Sequence, residues 1–131
     1  MKNELTFASK PENINIVEKL VDEISAEFNL SSEIYGNVLV ATVEAVNNAI
    51  LHGNKMDPKK KVKFSFRIED KWITFTVKDE GTGFNFSNIP DPTLPENLEK
   101  PHGRGIFLMK HLVDEIHFMN NGSQVEMKFK F

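Results

Sequence analysis

Residues 43–54, VEAVNNAILHGN, set Glu44, Asn47 and Asn48 among apolar helix formers. At about 100° per residue, these three side chains fall within roughly a third of a helix circumference. Glu33 and Asn37 continue the same stripe toward the N-terminus, and Tyr35, Leu39, Val46 and Ile50 lie opposite as the expected core face. Polar groups in a buried helix cost free energy unless they are satisfied, so the stripe faces either water or a ligand. Two asparagines are weak helix formers where Lys or Gln would serve a solvated face better. A carboxylate beside amide oxygens suits a hard cation with its phosphates, or a hydroxyl held for deprotonation.

A second group of residues is KDEGTGF, 78–84, at the end of an alternating strand. Gly81 and Gly83 let the backbone approach something closely. Asp79 at such a strand end can accept from an amino group, the contact that an adenine offers; taken alone, the same residues make an ordinary turn. The third is PHGRGIFLMK, 101–110, in which Gly103 and Gly105 precede a helix. Exposed N–H groups at a helix start bind phosphate, and Arg104 adds a charge-assisted donor. Alone, this too is no more than a helix entry. The phosphate loop GxxxxGK[ST] and the protein-kinase signatures are both absent from the sequence.

The elements that must position these residues follow from periodicity. Residues 4–8 form a short edge strand with Leu5 and Phe7 on one side. Ile14, Val17, Leu20, Val21, Ile24 and Phe28 recur at helical spacing after Pro11, and the helix ends near Asn29. Ser31 or Ser32 caps the next helix, which carries the polar stripe and stops at Gly53. Val62, Phe64, Phe66 and Ile68, then Ile73, Phe75 and Val77, alternate with polar residues around Asp70-Lys71, the pattern of an antiparallel hairpin covered on one face. Residues 84–103 hold Pro90, Pro92, Pro95 and Pro101 without periodicity, the composition of a functional lid. A third helix starts at Gly103-Arg104-Gly105, and strands at 116–119 and 124–131 flank the turn Asn120-Asn121-Gly122. The sum is α+β: a two-layer sandwich with three helices on one face of a mixed, mainly antiparallel sheet.

Composition narrows the function classes. The chain has 131 residues, enough for one domain (1–131) with its own core, and no cysteine, which removes disulfide and thiolate chemistry. A formal charge of -3, from 16 basic and 19 acidic residues, argues against direct nucleic-acid binding. No stretch suggests the roughly 20 apolar residues of a membrane span, and MKNELTFASK has no signal-peptide core. The expectation is a soluble cytoplasmic protein with no membrane contact.

The ordered set of a Glu-x-x-x-Asn helix, DxGxG after a strand, a long lid and GxG at a helix start resembles the GHKL ATP-binding (Bergerat) fold of gyrase and the histidine kinases. Within it, VEAVNNAILHG, DEGTGF and HGRGIFLMK resemble the stand-alone anti-sigma serine kinases, from about residue 10 to the end. The resemblance implies that Glu44 is the general base and that Asn48 holds Mg²⁺ against the phosphates of ATP. It implies that Asp79 reads the adenine amino group and that Gly81 and Gly83 leave room for the base. It also implies that Gly103 and Gly105 contact phosphate, with Arg104 touching phosphate or a partner. Ser123, after Gly122, falls where the family places a hydroxyl near adenine, although the usual pair is Gly-Thr. Asn47 matches a variable position and His52 a common His-Gly. The implied activity is phosphoryl transfer from Mg-ATP to a serine on an anti-anti-sigma (STAS-type) protein. The implied partners are that protein, a sigma factor and a second copy of the chain in a homodimer. The alternatives are a nucleotide-binding regulatory module that transfers nothing, and a protein-interaction domain without nucleotide. A histidine kinase would need an acceptor hairpin for which the chain has no room.

Overall fold

The computed structural model describes residues 2–82 and 101–131, with the side chains of residues 2 and 101–104 outside that description. Five strands form one sheet: β1 (Lys2–Ala8), β2 (Lys61–Glu69), β3 (Trp72–Lys78), β4 (Glu115–Met119) and β5 (Gln124–Lys130). Their order is β1-β2-β3-β5-β4, and every pairing is antiparallel, so the mixed sheet read from the sequence is instead purely antiparallel among the described residues. Three helices accompany it: α1 (Ile14–Phe28), α2 (Ser32–Asn48) and α3 (Pro101–Leu112).

Local chemistry sets the boundaries. A single turn of 3₁₀ helix, Pro11–Asn13, leads into α1, and Asn29 ends it in the left-handed conformation at φ 53°. Ser31 Oγ then accepts the Ile34 N–H at 3.2 Å and caps α2. Asp70 and Lys71 both take positive φ, 49° and 69°, in the two-residue β2–β3 turn. Positive φ at both positions matches the right-handed twist of the strands. Asn120, Asn121 and Gly122, at φ 53°, 59° and 95°, turn the chain between β4 and β5.

The core lies between the sheet and the helices. Val62, Phe64, Phe66 and Ile68 of β2 alternate with exposed residues, as their period of two requires. They pack with Ile73, Phe75 and Val77 of β3, Val125, Met127 and Phe129 of β5, and Val17, Val21 and Ile24 of α1. Thr74, on the uncovered face by the same alternation, is nevertheless buried. Arg67 and Lys128 lie directly across from it, and Lys128 Nζ stacks over Trp72 at 5.8 Å. Long side chains thus cover a small polar one.

Three expectations change in detail. The third helix already includes Pro101 and Gly103, where the sequence pattern placed its start at Gly103-Arg104-Gly105. The helix carrying the polar stripe is regular only to Asn48 and continues as a π turn, Ala49–Gly53, in which Asn54 N–H reaches back five residues to the Ala49 carbonyl at 2.8 Å. Ser32–Gly53 as a whole is 22 residues long, and its 18-residue window of mean hydropathy 1.2 meets the length and composition of a membrane span, which the sequence reading did not expect. Here its apolar residues serve the core: Val38, Ala41, Val46 and Ile50 are fully buried.

Candidate functional site

Burial on α2 extends beyond the four expected residues. Ala41, Thr42, Ala45 and Ala49 are buried together with Val46 and Ile50, while Tyr35 and Leu39 are only half-buried. The helix is wrapped by neighbours around much of its circumference, and the polar stripe is what remains. Glu33 is exposed, whereas Glu44, Asn47 and Asn48 are partly buried. The lower stripe therefore faces a cleft, and only its N-terminal end is a solvated face.

Glu44 lies where α2 meets α3. A methyl group placed on Gly105 would sit 2.9 Å from Glu44 Oε2, so the glycine is the space into which the carboxylate fits. Burial pushes the Glu44 carboxyl upward from its ordinary value. Asn48 follows one turn later at i+4 and lines a small pocket of about 20 Å³. Its other walls include Ala45, Ala49, Val77, Met109, Phe118 and Val125, with Asp79, Gly122 and Ser123 at the polar end. That is far below the roughly 300–1,000 Å³ of drug-sized sites. Apolar walls closed at one end by a carboxylate have the chemistry to meet the polar edge of a flat heteroaromatic ring.

The Asp79 carboxylate is held from three sides. Its Oδ1 accepts the Gly81 N–H at 2.7 Å, and its own N–H donates to the Ser123 carbonyl at 2.9 Å. Gly53, at the end of the π turn, packs directly on it; a methyl there would overlap the carboxyl atoms. A methyl on Gly81 would in turn overlap the Gly53 carbonyl. Burial pushes Asp79 upward from its ordinary value, and the Gly81 N–H and the nearby Lys60 charge pull it partly back. Ser123 is buried, with its hydroxyl donating to the Asn120 carbonyl at 2.9 Å and its lone pairs left for a neighbour.

The fold thus gathers Asn48, Asp79 and Ser123 on one pocket, Gly81 beside Asp79, and Glu44 against Gly105. Gly103, Arg104 and Gly105 lie within α3 rather than before it. Gly83 and the lid at 84–100 lie outside the described residues. His52 is exposed on the π turn. Among the described residues no group of three or more His, Cys, Asp or Glu could hold a metal ion.

Two positions were missed by the reading of the residues. Gly53 was read only as a helix stop, and Asn54 was not singled out. Asn54 is fully buried and spans three segments with its side chain. An amide directly after the terminal glycine of an apolar helix was the available signal.

The chain is similar to known proteins along nearly its whole length. The histidine kinase-like ATPase domain family matches residues 7–129. An anti-sigma F factor from Geobacillus thermodenitrificans (strain NG80-2) is 32% identical, over 98% of this chain and 92% of its own length. An anti-sigma F factor from Bacillus cytotoxicus is likewise 32% identical, over 94% and 87%. Among solved structures, that of the RsbU and RsbW domains of Rv1364c from Mycobacterium tuberculosis superposes with a TM-score of 0.68 at 16% identity. The superposition covers 99% of this chain and spans 32% of that one, and it establishes a shared fold.

Proposed function

From the premise that the chain belongs to the histidine kinase-like ATPase family, we propose that it binds ATP in the Asn48–Asp79–Ser123 pocket and transfers the γ-phosphoryl group to a serine of a partner protein. The observation that carries this reading is the meeting of Asn48, Asp79 and Ser123 on one pocket, with Glu44 one helical turn before Asn48. A pocket that only bound a base would need no second carboxylate on the same face of the helix as Asn48.

In this reading Asp79 accepts from the adenine amino group, and Gly81 leaves room for the ring. Asn48 supplies an amide oxygen to Mg²⁺, which when bound neutralises phosphate charge. Gly103, Arg104 and Gly105 sit at the phosphate end. Glu44 takes the proton of the attacking serine hydroxyl as its oxygen bonds to the γ-phosphorus and the bond from that phosphorus to the bridging oxygen breaks, releasing ADP. A carboxyl raised by burial is a stronger base for that proton than an exposed one. Most of the acceleration comes from positioning and charge stabilisation.

The likeness to anti-sigma F factors supports assigning a sigma factor as one partner. The resemblance of the motifs supports a STAS-type anti-anti-sigma protein as the serine substrate, action as a homodimer, and a cytoplasmic location. The first experiment is calorimetric titration of ADP and ATP, with and without Mg²⁺, into the wild type and Asn48→Ala. Binding that needs Mg²⁺ and weakens in Asn48→Ala supports the site. Labelled phosphate moving from ATP to the STAS-type protein then supports the transfer. Absence of binding at millimolar nucleotide refutes the reading, and binding without transfer leaves a nucleotide-gated binding module.

A further inference from the structure

Asn54 is the most completely bonded buried side chain near the site. Its Nδ2 donates to Ser9 Oγ at 2.6 Å and to the Lys61 carbonyl at 2.9 Å. Its Oδ1 accepts the Glu80 N–H at 2.7 Å. Its backbone is fixed as well, with its N–H on the Ala49 carbonyl and its carbonyl accepting the Asp57 N–H at 3.0 Å. One side chain thereby ties the end of the π turn to the end of β1, the start of β2 and the loop after β3.

The Glu80 bond carries the consequence. Glu80 lies between Asp79 and Gly81, which are themselves joined by the Gly81 N–H bond to Asp79 Oδ1. Fixing the Glu80 amide fixes the peptide that follows Asp79, and so the direction of its carboxylate. The Glu80 carboxylate adds a second tie by accepting the Lys61 N–H, and Asp79 N–H is held by the Ser123 carbonyl. The loop has many anchors; beside the packing of Gly53, the Asn54 side chain hydrogen-bonds it to the end of the π turn that continues α2, the helix that carries Glu44 and Asn48. A buried amide costs free energy unless all its groups are bonded. Here all of them are spent on holding backbone and Ser9, and none faces the pocket.

We propose that Asn54 is a positioning residue that sets base selectivity: it aligns the Asp79 carboxylate with the pocket and couples that alignment to α2. This rests on the nucleotide reading above. Asn54 touches no ligand; it acts through the Glu80 peptide on Asp79. Removing it leaves the pocket walls in place and lets the carboxylate swing, so the loss falls on the base contact rather than on phosphate binding.

The test compares two probes, ADP and the purine riboside diphosphate that lacks the 6-amino group, titrated into the wild type and Asn54→Ala. A contact from an amino group to a carboxylate corresponds to a preference for ADP of about 10- to 100-fold in the wild type. In Asn54→Ala the preference falls to within about threefold of unity, while affinity for the deamino probe stays within about threefold of wild type. An equal loss for both probes, with the preference kept, is the mark of a merely structural residue and overturns the inference while leaving the nucleotide reading intact. Failure of the wild type to bind ADP overturns both. Should Asn54→Ala not fold, amide hydrogen exchange in the wild type decides: the Glu80 N–H exchanges slowly and slows further with ADP, whereas exchange at the rate of an open loop overturns the proposal.

Discussion

Gly53→Ala tests the packing that defines the base end of the pocket. The new methyl carbon would lie 2.7 Å from Asp79 Oδ1 and closer still to the other two carboxyl atoms. Ordinary contact is about 3.5–4.0 Å, so the carboxylate must retreat by about 1 Å or more. The π turn cannot yield instead, since Ile50 is fully buried and Asn54 is anchored on three segments. Gly81 cannot yield either, because it already abuts the Gly53 carbonyl. Retreat breaks the Gly81–Asp79 bond and misplaces the acceptor for the base. Losing one hydrogen bond to a charged group is worth about 1.5–3 kcal/mol, or about 10- to 100-fold in ADP affinity. Stability changes less. Overpacking costs about 1–3 kcal/mol, and Gly→Ala in helical backbone returns about 0.5–1 kcal/mol. The balance is a loss of about 0–2.5 kcal/mol, a melting temperature lower by at most about 10 °C. Calorimetric titration of ADP and a thermal melt read the two quantities separately. In an Asp79→Ala background the methyl finds space, so Gly53→Ala costs no further affinity. Wild-type ADP affinity in the single variant would refute the contact on which this reasoning stands.

Gly105→Ala brings a methyl to 2.9 Å from Glu44 Oε2 and should lower phosphoryl transfer by about 100-fold, the effect of misplacing a general base. The same change favours the helix by up to about 1 kcal/mol, so the slower variant should melt higher; single-turnover transfer and a melting curve check both. Asp79→Asn should stabilise the protein near neutral pH. The folded state raises the Asp79 value, so it binds the proton more tightly than the unfolded chain, and the penalty for ionising it appears as pH rises above the usual value of about 3.9. The gain over wild type should therefore be present at pH 7 and shrink toward pH 4 in paired thermal melts. Lys71→Gly removes a side chain from a left-handed position and should raise stability by about 1 kcal/mol in urea unfolding, reduced by whatever the Lys71–Phe131 stacking contributes.

Much of this arrangement is legible in the residues because the relevant periods are short. The alternation in 62–68 and 73–77 fixes which strand face is buried, and Ser31 and Asn29 mark helix ends by chemistry that acts within four residues. Glu44 and Asn48 share a face by spacing alone. What escaped the reading depends on contacts between segments distant in sequence. Gly53 meets Asp79 and Asn54 meets Glu80 across more than twenty residues, and nothing in either local pattern announces the other. The wide buried arc of α2 was missed for a related reason: alanines carry little hydrophobic signal, yet Ala41, Ala45 and Ala49 are buried where small size permits close packing.

The π turn at Ala49–Gly53 sets where the helix tolerates a change of length. A π turn holds one residue more than the α-helical turn it replaces. Deleting one of residues 49–52 would allow a regular helix and, because the wide turn gives up its extra residue, would leave Gly53 and Asn54 close to their present direction. Deleting a residue of the regular helix between Glu44 and Asn48 would instead rotate everything after it by about 100° relative to Glu44. Gly53 and Asn54 would then leave Asp79 and Glu80 for another side of the helix axis. The turn is thus a slack joint in the chain, placed between the phosphate end of the pocket and its base end.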